Sequence, residues 1–363
     1  MSALLPLSYN PIDTRRLNVV LERYQGKPHH RMVADFEQGL VSATQSSYVV
    51  ALNSGSAAIH MALRALGIGA GDVVIAPSFT YVATINPILY QGATPVFVDC
   101  EKDTWNIDPD LLELALKKET EKGSQVKAIL VMHNYGMPAQ MDRLLQIATT
   151  YQLPVIEDAA EAVGSRYNGK QAGTFGKLGI LSFNTNKVFT TYGGGALLTS
   201  DESLAKRVRF MASQARENLP YYEHHEVGYN YLMGALNAAY GLCQLPYLDQ
   251  EIVARRNIFE RYQAALAHLP FQQEPHGHYS NRWLPAVLFD DESTRHALAA
   301  KLAGHGYETR PLWRPMHLQP VFKGYPYYGE QLSKQLFERG LCLPACTTFS
   351  EAQQQEVIRL IAE

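Results

Sequence analysis

The sequence predicts an α/β fold whose mainly parallel sheet has seven strands, and two observations support this prediction. Over the first two-thirds of the chain, short apolar runs alternate with helical stretches, as in consecutive β-α-β units. The apolar runs are mostly continuous rather than alternating with polar residues, which is typical of strands buried on both faces. The predicted strands are residues 48–52, 73–76, 94–99, 128–133, 155–157, 180–183 and 196–199. The helices between them are residues 56–66, 83–90, 108–118 and 141–151.

The pattern changes after about residue 200, where longer helices replace the alternation. Helices are predicted over 201–217 and 232–266, and again over 294–305 and 350–362 after a strand at 283–289. Ser350 and Gln353 have the spacing of a capping box at the start of the last helix. We therefore predict a large domain over 1–245 and a smaller C-terminal α+β domain over 246–363.

Composition excludes several classes of partner. The 363 residues carry a net charge of -3 without any block of like charge, which argues against nucleic acid or an anionic membrane as a partner. The N-terminus lacks the features of a signal peptide, and no apolar run is long enough to span a bilayer. Cys100, Cys243, Cys342 and Cys346 are scattered without metal-binding spacing. We expect a cytoplasmic protein with reduced thiols and no metal.

The first candidate motif follows the strand at 48–52. Asn53-Ser54-Gly55-Ser56 opens an apolar helix, and small residues at a helix N-terminus expose backbone N–H groups to an anion. A phosphate could bind at Gly55 and Ser56. The alternative is that Ser54 or Ser56 only caps the helix.

The second motif places an acid at the end of a strand. Asp158 comes directly after the strand at 155–157, and ligands of open α/β sheets lie beyond the carboxyl ends of strands. A carboxylate there could pair with the protonated ring nitrogen of a cofactor. The alternative is another helix cap.

The third motif places an amine after a strand. Ser182 to Lys187 leave the strand at 180–183, and Gly193-Gly194-Gly195 allow a tight turn beside a bulky ligand. Lys187 lies in an uncharged stretch, where reduced solvation would lower its pKa and free the amine for reaction. The alternative is an ordinary solvated lysine.

Taken together, the three motifs resemble the sugar aminotransferases of the DegT/DnrJ/EryC/StrS family, which have the aspartate-aminotransferase (type I) fold and use pyridoxal 5'-phosphate. The resemblance runs from Leu7-Ser8 to the final helix. Its most specific parts are the Ser-Gly-Ser turn, Glu-Asp-Ala-Ala-Glu-Ala, and Ser-Phe-Asn-Thr-Asn-Lys followed by three glycines.

The resemblance implies roles for individual residues. Lys187 would hold the cofactor as a Schiff base and carry protons, and Asp158 would pair with the pyridine nitrogen. Glu161 would lie near the 3-hydroxyl group, and Tyr81 would stack on the ring. The phosphate would be held by Gly55, Ser56 and Ser182. Some relatives carry histidine at the lysine position and dehydrate or deoxygenate sugars, so Lys187 favours amino transfer.

The resemblance also implies a homodimer with shared active sites, because Asn230 matches a residue that reaches the phosphate of the neighbouring subunit. The family commonly has arginine two residues later, followed by a polar pair, whereas this chain has Leu232, Met233, Gly234 and Ala235. This departure puts the other contacts between subunits in doubt.

The substrate implied is a nucleotide-linked 4-keto-6-deoxy sugar with L-glutamate as amino donor. Asn184, Asn186, Thr190 and Thr191 resemble the subgroup that aminates such sugars. The run 308–320 resembles enzymes that make a bacillosamine precursor from UDP-2-acetamido-2,6-dideoxy-hexos-4-ulose. Candidate substrate contacts are Arg282, Arg310 and Arg314 for the diphosphate and His317 for the sugar. Each arginine could instead form a surface ion pair, and His317 could be a satisfied buried histidine.

The sequence also has features of three other kinds of protein. A 3-keto sugar or cyclitol aminotransferase of the same family would place nitrogen at a different carbon. A binding or regulatory protein would keep the fold without the chemistry, although intact Lys187 and Asp158 argue against it. Residues 164–171 come close to a nucleotide-binding P-loop, but Gln171 replaces the hydroxyl residue that would hold magnesium.

Overall fold

An eight-stranded sheet forms the centre of the protein in the computed structural model, which describes residues 4–363. The strands in chain order are β1 (Tyr48–Leu52), β2 (Asp72–Pro77), β3 (Thr94–Val98), β4 (Gln125–Met132), β5 (Val155–Asp158), β6 (Arg166–Tyr167), β7 (Lys170–Gln171), β8 (Leu178–Ser182), β9 (Gly195–Thr199), β10 (His278–Tyr279), β11 (Ala286–Leu288), β12 (Arg310–Pro311), β13 (Tyr327–Tyr328) and β14 (Gly340–Cys342). The helices are α1 (Thr14–Arg23), α2 (His30–Thr44), α3 (Gly55–Ala65), α4 (Val82–Tyr90), α5 (Pro109–Glu121), α6 (Met141–Thr150), α7 (Glu202–Ala212), α8 (Ala235–Gln244), α9 (Leu248–Ala265), α10 (Glu292–Gly304), α11 (Leu332–Arg339) and α12 (Glu351–Ala362).

The strand order in the large sheet is β1-β9-β8-β5-β4-β2-β3-β13. Each neighbouring pair from β8 to β13 is parallel, whereas β9 runs antiparallel to both β1 and β8. All seven predicted strands belong to this sheet, so the predicted mainly parallel sheet is confirmed. The eighth strand, β13, was not predicted, and it comes from the last part of the chain.

The sheet is buried on both faces because successive side chains of each strand enter different cores. Val74 and Ala76 of β2 pack with α3, α4 and α7, whereas Val73 and Ile75 pack with α5 and α6 on the other face. This arrangement explains why the strands read as continuous apolar runs. Parallel neighbours need crossover connections, and helices on both faces of the sheet supply them.

The C-terminal part has a second core around an antiparallel sheet of order β11-β14-β12. Trp283, Leu341 and Val357 are among its fully buried members. The capping box at Ser350 and Gln353 is confirmed. The division into domains over 1–245 and 246–363 stays a prediction.

Two helix predictions were too long. The helix predicted over 232–266 is two helices, α8 and α9, separated by a 3-10 turn at Leu245–Tyr247 that contains Pro246. Proline lacks the N–H that would continue the helix and its ring clashes with the preceding turn. The helix predicted over 201–217 ends at Ala212 because Gln214 and Ala215 take positive φ angles of 69° and 51°.

Within residues 4–363, none of the helices combines the length and the apolar character that crossing a lipid bilayer requires.

Candidate active site

A cavity of about 1020 Å³ opens at the carboxyl ends of the central parallel strands. Parallel strands bring loops and helix N-termini to that edge of a sheet, so residues far apart in the chain meet there. The predicted site residues that line the cavity are Gly55, Ser56, Tyr81, Asp158, Glu161, Ser182, Lys187 and Arg310.

Asp158 is the last residue of β5, and its side chain is buried at the base of the cavity. Thr84 Oγ1 donates a hydrogen bond to Oδ2 at 2.8 Å, and the backbone N–H of Ala160 donates to Oδ1 at 3.1 Å. Burial raises the pKa of Asp158, while these two hydrogen bonds and the charge of Lys187 oppose that shift. A cationic partner in the cavity would therefore stabilise the carboxylate.

Lys187 presents its amine to the same cavity. Its Nζ lies 3.4 Å from Glu161 Oε1 and 4.0 Å from the centre of the Trp283 ring, and the lysine side chain is 12% exposed. An ammonium over an aromatic face is attracted by the ring quadrupole. The lysine is therefore held inside the cavity, and the alternative of a solvated surface lysine does not match its surroundings.

Glu161 is the acid beside that amine, and its side chain is only 1% exposed. Its Oε2 accepts a hydrogen bond from the backbone N–H of Tyr135 at 2.8 Å. Burial raises the pKa of Glu161 to about 7, although Lys187 and the Tyr135 N–H oppose the shift. Near neutral pH Glu161 can therefore hold or release a proton within reach of the Lys187 amine.

The start of α3 forms a cradle of backbone N–H groups at one end of the cavity. Ser54 caps the helix by accepting a hydrogen bond from the N–H of Ala57 at 3.1 Å, so the cap does not involve Ser56. The first N–H groups of a helix have no partner within the helix. A Cβ atom on Gly55 would lie 3.2 Å from Ser182 Cβ, and one on Gly195 would lie 2.6 Å from the Gly55 nitrogen. The cradle is therefore tightly packed around its glycines.

An amine, a buried carboxylate and an anion cradle in one cavity fit a small aromatic ligand with an aldehyde, a ring nitrogen and a phosphate. Pyridoxal 5'-phosphate has these three groups. The cavity is also larger than this ligand needs, which leaves room for a second, bulkier molecule on the side of Tyr81 and Arg310.

Four predicted residues lie elsewhere. Arg282 is buried, and its guanidinium pairs with Glu274 at 3.1 Å and covers the Phe259 ring at 3.7 Å, so the structure gives no support for a diphosphate contact. Arg314 is exposed outside the cavity lining. Asn230 is also exposed outside it, on the surface next to Asn53.

His317 is the fourth of these residues. Its Nδ1 bonds with Ser78 Oγ at 2.6 Å, and its ring stacks on Tyr327 with centroids 3.8 Å apart. Its Nε2 is buried without a hydrogen-bond partner among the described residues. This geometry is closer to a packed histidine than to a sugar contact.

Sequence reasoning missed several residues of the site. Thr84, which bonds to Asp158, lies in the first turn of α4 just after β2, and its place beyond a strand end was a usable signal. Trp283 and Trp313 also line the cavity, and Tyr135 stacks against both with centroids 6.4 and 5.5 Å away. The tryptophans come from the C-terminal part of the chain, where no local pattern connects them to Lys187.

Comparisons with known proteins give a consistent result. The model of the DegT/DnrJ/EryC1/StrS aminotransferase family matches residues 12–362. EpsN of Bacillus subtilis (strain 168), which is named as a pyridoxal phosphate-dependent aminotransferase, is 44% identical over 91% of this chain and 87% of its own. GDP-perosamine synthase of Caulobacter vibrioides is 36% identical over 90% of this chain and 88% of its own.

A solved structure is also similar over nearly its whole length. A DegT DnrJ EryC1 StrS aminotransferase from Brucella abortus superposes with a TM-score of 0.90 and is 32% identical. The similarity covers 96% of this chain and 95% of that one.

Proposed function

The chain belongs to the DegT/DnrJ/EryC1/StrS aminotransferase family, with the type I fold and pyridoxal 5'-phosphate as cofactor, and from this premise we propose its substrates. We propose that it moves an amino group from L-glutamate to the 4-keto carbon of a nucleotide-linked 4-keto-6-deoxy sugar. The sugar we propose is UDP-2-acetamido-2,6-dideoxy-hexos-4-ulose, and we propose the cytoplasm as the place of the reaction.

One observation carries the chemical part of this proposal. The amine of Lys187 lies in a cavity 3.4 Å from the carboxyl of Glu161, and the same cavity contains the buried Asp158 and the N-terminus of α3. A binding protein without chemistry has no need of an amine in that position.

When bound, the cofactor supplies an electron-accepting ring and a carrier for the amino group. Lys187 would form the covalent link to it, and Gly55, Ser56 and Ser182 would hold its phosphate. Asp158 would keep the ring nitrogen protonated, since a cation there offsets the burial of the carboxylate.

Lys187 then has a second task. In the first half of the reaction its Nζ would take the proton from the α-carbon of glutamate, and in the second half it would deliver a proton to C4 of the sugar. Glu161 is near enough to exchange protons with that amine, and its pKa of about 7 suits both directions.

The proposed preference for a 4-keto sugar rests on the residues on either side of Lys187. Asn184 and Asn186 line the cavity, where their amides can bind sugar hydroxyl or keto groups. Thr190 and Thr191 instead stabilise the turn, since Thr190 Oγ1 donates to the Phe183 carbonyl at 3.1 Å and Thr191 Oγ1 donates to that of Gly193 at 2.7 Å. Arg310, exposed at the mouth beside Glu308, is the remaining candidate for the diphosphate.

The test is a panel of nucleotide-linked 4-keto-6-deoxy sugars offered with L-glutamate. UDP-, GDP- and dTDP-linked sugars are all needed, because one relative is a GDP-perosamine synthase. We expect repeated turnover, seen as 2-oxoglutarate beyond the single equivalent per site of the first half-reaction, only with a UDP-linked sugar. The product should carry nitrogen at C4 by NMR. Nitrogen at C3 would favour a 3-keto sugar or cyclitol aminotransferase.

Lys187→Ala is the matched variant for this panel. We expect it to lose transamination completely while the protein stays folded, since Lys187 is in a loop and contributes little to the core. The loss of the visible band that borohydride bleaches in the wild-type enzyme would be the spectroscopic readout. A fully active variant would end the proposed mechanism.

We also propose that the active unit is a homodimer. Large apolar side chains close to Asn230 in the sequence are exposed, among them Tyr222 at 81%, Val227 at 71% and Leu236 at 70%. Exposed apolar groups that cluster in this way mark protein interfaces. A partner seated there would bring Asn230 towards the partner's phosphate cradle.

A further inference from the structure

The segment 7–10 contacts the loop between β8 and β9 that contains Lys187, which we call the catalytic loop. Ser8 Oγ donates a hydrogen bond to the Asn186 carbonyl at 2.7 Å, and Asn10 Nδ2 donates one to the Lys187 carbonyl at 2.6 Å. Side chains from near the N-terminus thus hold two consecutive backbone carbonyls of the loop, and one of these is the carbonyl of Lys187 itself.

A buried arginine in α9 holds both of those side chains. Arg255 is fully buried, and its Nη1 donates to Ser8 Oγ at 3.1 Å while its Nη2 donates to Asn10 Oδ1 at 3.3 Å. Its Nε pairs with Glu251 Oε1 at 3.3 Å, which fixes the plane of the guanidinium. A planar guanidinium offers donors in a rigid fork, so it can set the relative positions of two acceptors.

The same arginine reaches the catalytic loop by a second route. Arg255 Nη1 donates to the Trp283 carbonyl at 3.1 Å, and Trp283 Nε1 donates to the Asn186 carbonyl at 2.7 Å. The Trp283 ring is also the surface over which the Lys187 amine lies. Both the backbone and the amine of Lys187 therefore depend on groups that Arg255 fixes.

The loop has few other supports near Lys187. Asn184 and Thr185 are exposed, and the Lys187 N–H bonds within the loop to the Asn184 carbonyl at 3.1 Å. The segment 7–10, by contrast, is anchored on the C-terminal part, because Glu308 accepts from the Leu7 N–H at 3.0 Å and the Ala345 N–H donates to the Leu7 carbonyl at 2.9 Å.

From this network we propose that Asn10 and Arg255 are positioning residues for Lys187. Asn10 contacts the backbone carbonyl of the lysine, and Arg255 acts on it through Asn10, Ser8 and Trp283. Neither residue touches the amine, but together they fix the point from which it reaches its reaction partners. The inference rests on the proposed function of Lys187, and it predicts slow chemistry when the clamp of Ser8, Asn10 and Arg255 is weakened.

Two substitutions separate positioning from folding. Asn10→Asp keeps the shape and the acceptor for Arg255 but lacks the N–H group that the Lys187 carbonyl requires. Arg255→Lys keeps the charge but offers one compact ammonium instead of a fork. Arg256→Lys is the control, since Arg256 is the next residue of α9 and bonds to Glu274 and Ser280 instead.

We expect kcat to fall about 10- to 100-fold in Asn10→Asp and Arg255→Lys, with little change in KM, as for a reacting group displaced by a fraction of an ångström. Hydrogen exchange of the Lys187 and Thr191 amides should accelerate in both variants of the full chain, with or without cofactor. Arg256→Lys should lower the thermal midpoint without changing either readout.

The two proposals fail in different ways. If Lys187→Ala is inactive but Asn10→Asp matches the wild type in kcat and in loop exchange, the clamp is overturned and the proposed function stands. If Arg255→Lys does not fold, the kcat and the loop exchange of Asn10→Asp alone decide whether the clamp exists. If Lys187→Ala stays active while loop exchange responds to Asn10→Asp, the clamp is real but the proposed chemistry is wrong.

Discussion

The carboxyl of Glu161 shows what burial does to a single residue beside a reactive amine. With a side chain only 1% exposed, it loses the hydration that would keep it ionised, and its pKa rises to about 7. Since ionisation of this group is disfavoured in the folded protein, it destabilises the fold at pH values where the unfolded chain would be ionised. This loss of stability falls at a position where a group that can donate and accept a proton is useful.

This cost can be measured with Glu161→Gln. The folded protein binds one more proton than the unfolded chain between pH 4.5 and about 7, so the free energy of unfolding falls as pH rises through that window. Glutamine does not ionise, so the variant should gain stability relative to wild type by about 3 kcal/mol from pH 4 to pH 8, which is the pKa difference converted to free energy.

The measurement is urea unfolding of the cofactor-free protein and the variant at both pH values. Titrating groups that do not interact with Glu161 cancel in the difference between the two proteins. An identical stability difference at pH 4 and pH 8 would show that Glu161 ionises normally despite its burial.

At the scale of elements, the site depends on the crossing between the start of β9 and the start of α3. Gly195 is the first residue of β9 and pairs with Leu52 and Ser182 on its two sides. A side chain does not fit at position 195, since a Cβ there would lie 2.6 Å from both the Gly55 nitrogen and the Ser54 carbonyl carbon. The backbone of the cradle cannot shift without moving α3.

We therefore predict that Gly195→Ala weakens cofactor binding strongly, because displacing the start of α3 turns its N–H groups away from the phosphate. The affinity for pyridoxal 5'-phosphate, measured by its visible absorbance, should fall more than about 10-fold, the loss of roughly one charge-assisted hydrogen bond. Gly304→Ala is the control, since that glycine ends α10 with no atom within 4 Å of its would-be Cβ. Unchanged affinity in Gly195→Ala would show that the cradle has room to adapt.

The large sheet and the residues at its strand ends were predictable because local signals specify them. Continuous apolar runs mark buried strands, and Asp158, Ser182 and Lys187 follow such runs directly. The two residues of β13 form no such run, and Pro246 was a visible break whose effect the long apolar pattern hid.

The contacts that come from distant segments were not predictable. Trp283 is 96 residues from Lys187 in sequence, and only tertiary packing places its ring over the amine. Arg282 is the converse case, because its sequence neighbourhood resembles a substrate-binding motif while packing gives its guanidinium to Glu274. The sequence shows that an arginine is present but not which group its guanidinium will contact in the folded protein.

At the scale of the whole molecule, several large apolar side chains of the stretch 219–236 are exposed, and Asn230, a predicted site residue, lies outside the cavity lining. Both facts are accounted for if two copies of the chain complete each other's sites. A two-fold dimer would then contain two cavities, each with a lysine from one subunit and an asparagine from the other.

Subunit complementation tests this arrangement. Lys187→Ala and Asn230→Ala proteins should each be inactive or weak alone, but hybrids formed by subunit exchange contain one intact site. At equal mixing we expect recovery of about one quarter of wild-type activity, because about half of two-fold dimers are hybrids with one intact site of two. Activity that never exceeds the sum of the two parents would place Asn230 and Lys187 in the same chain's site or in no shared site.

The outermost strand, β13, has a consequence for how a bulky substrate arrives. Tyr327 and Tyr328 pair with Phe97 and Val98 of β3, and the Tyr327 hydroxyl bonds to Asp99 at 2.7 Å. Together with the segment 7–10, this pairing ties the last third of the chain to the central sheet at two separate places. The C-terminal part of the chain is therefore held to the sheet at both of these places. A nucleotide sugar of the kind we propose would enter through the mouth beside Tyr81 and Arg310 while both connections stay in place.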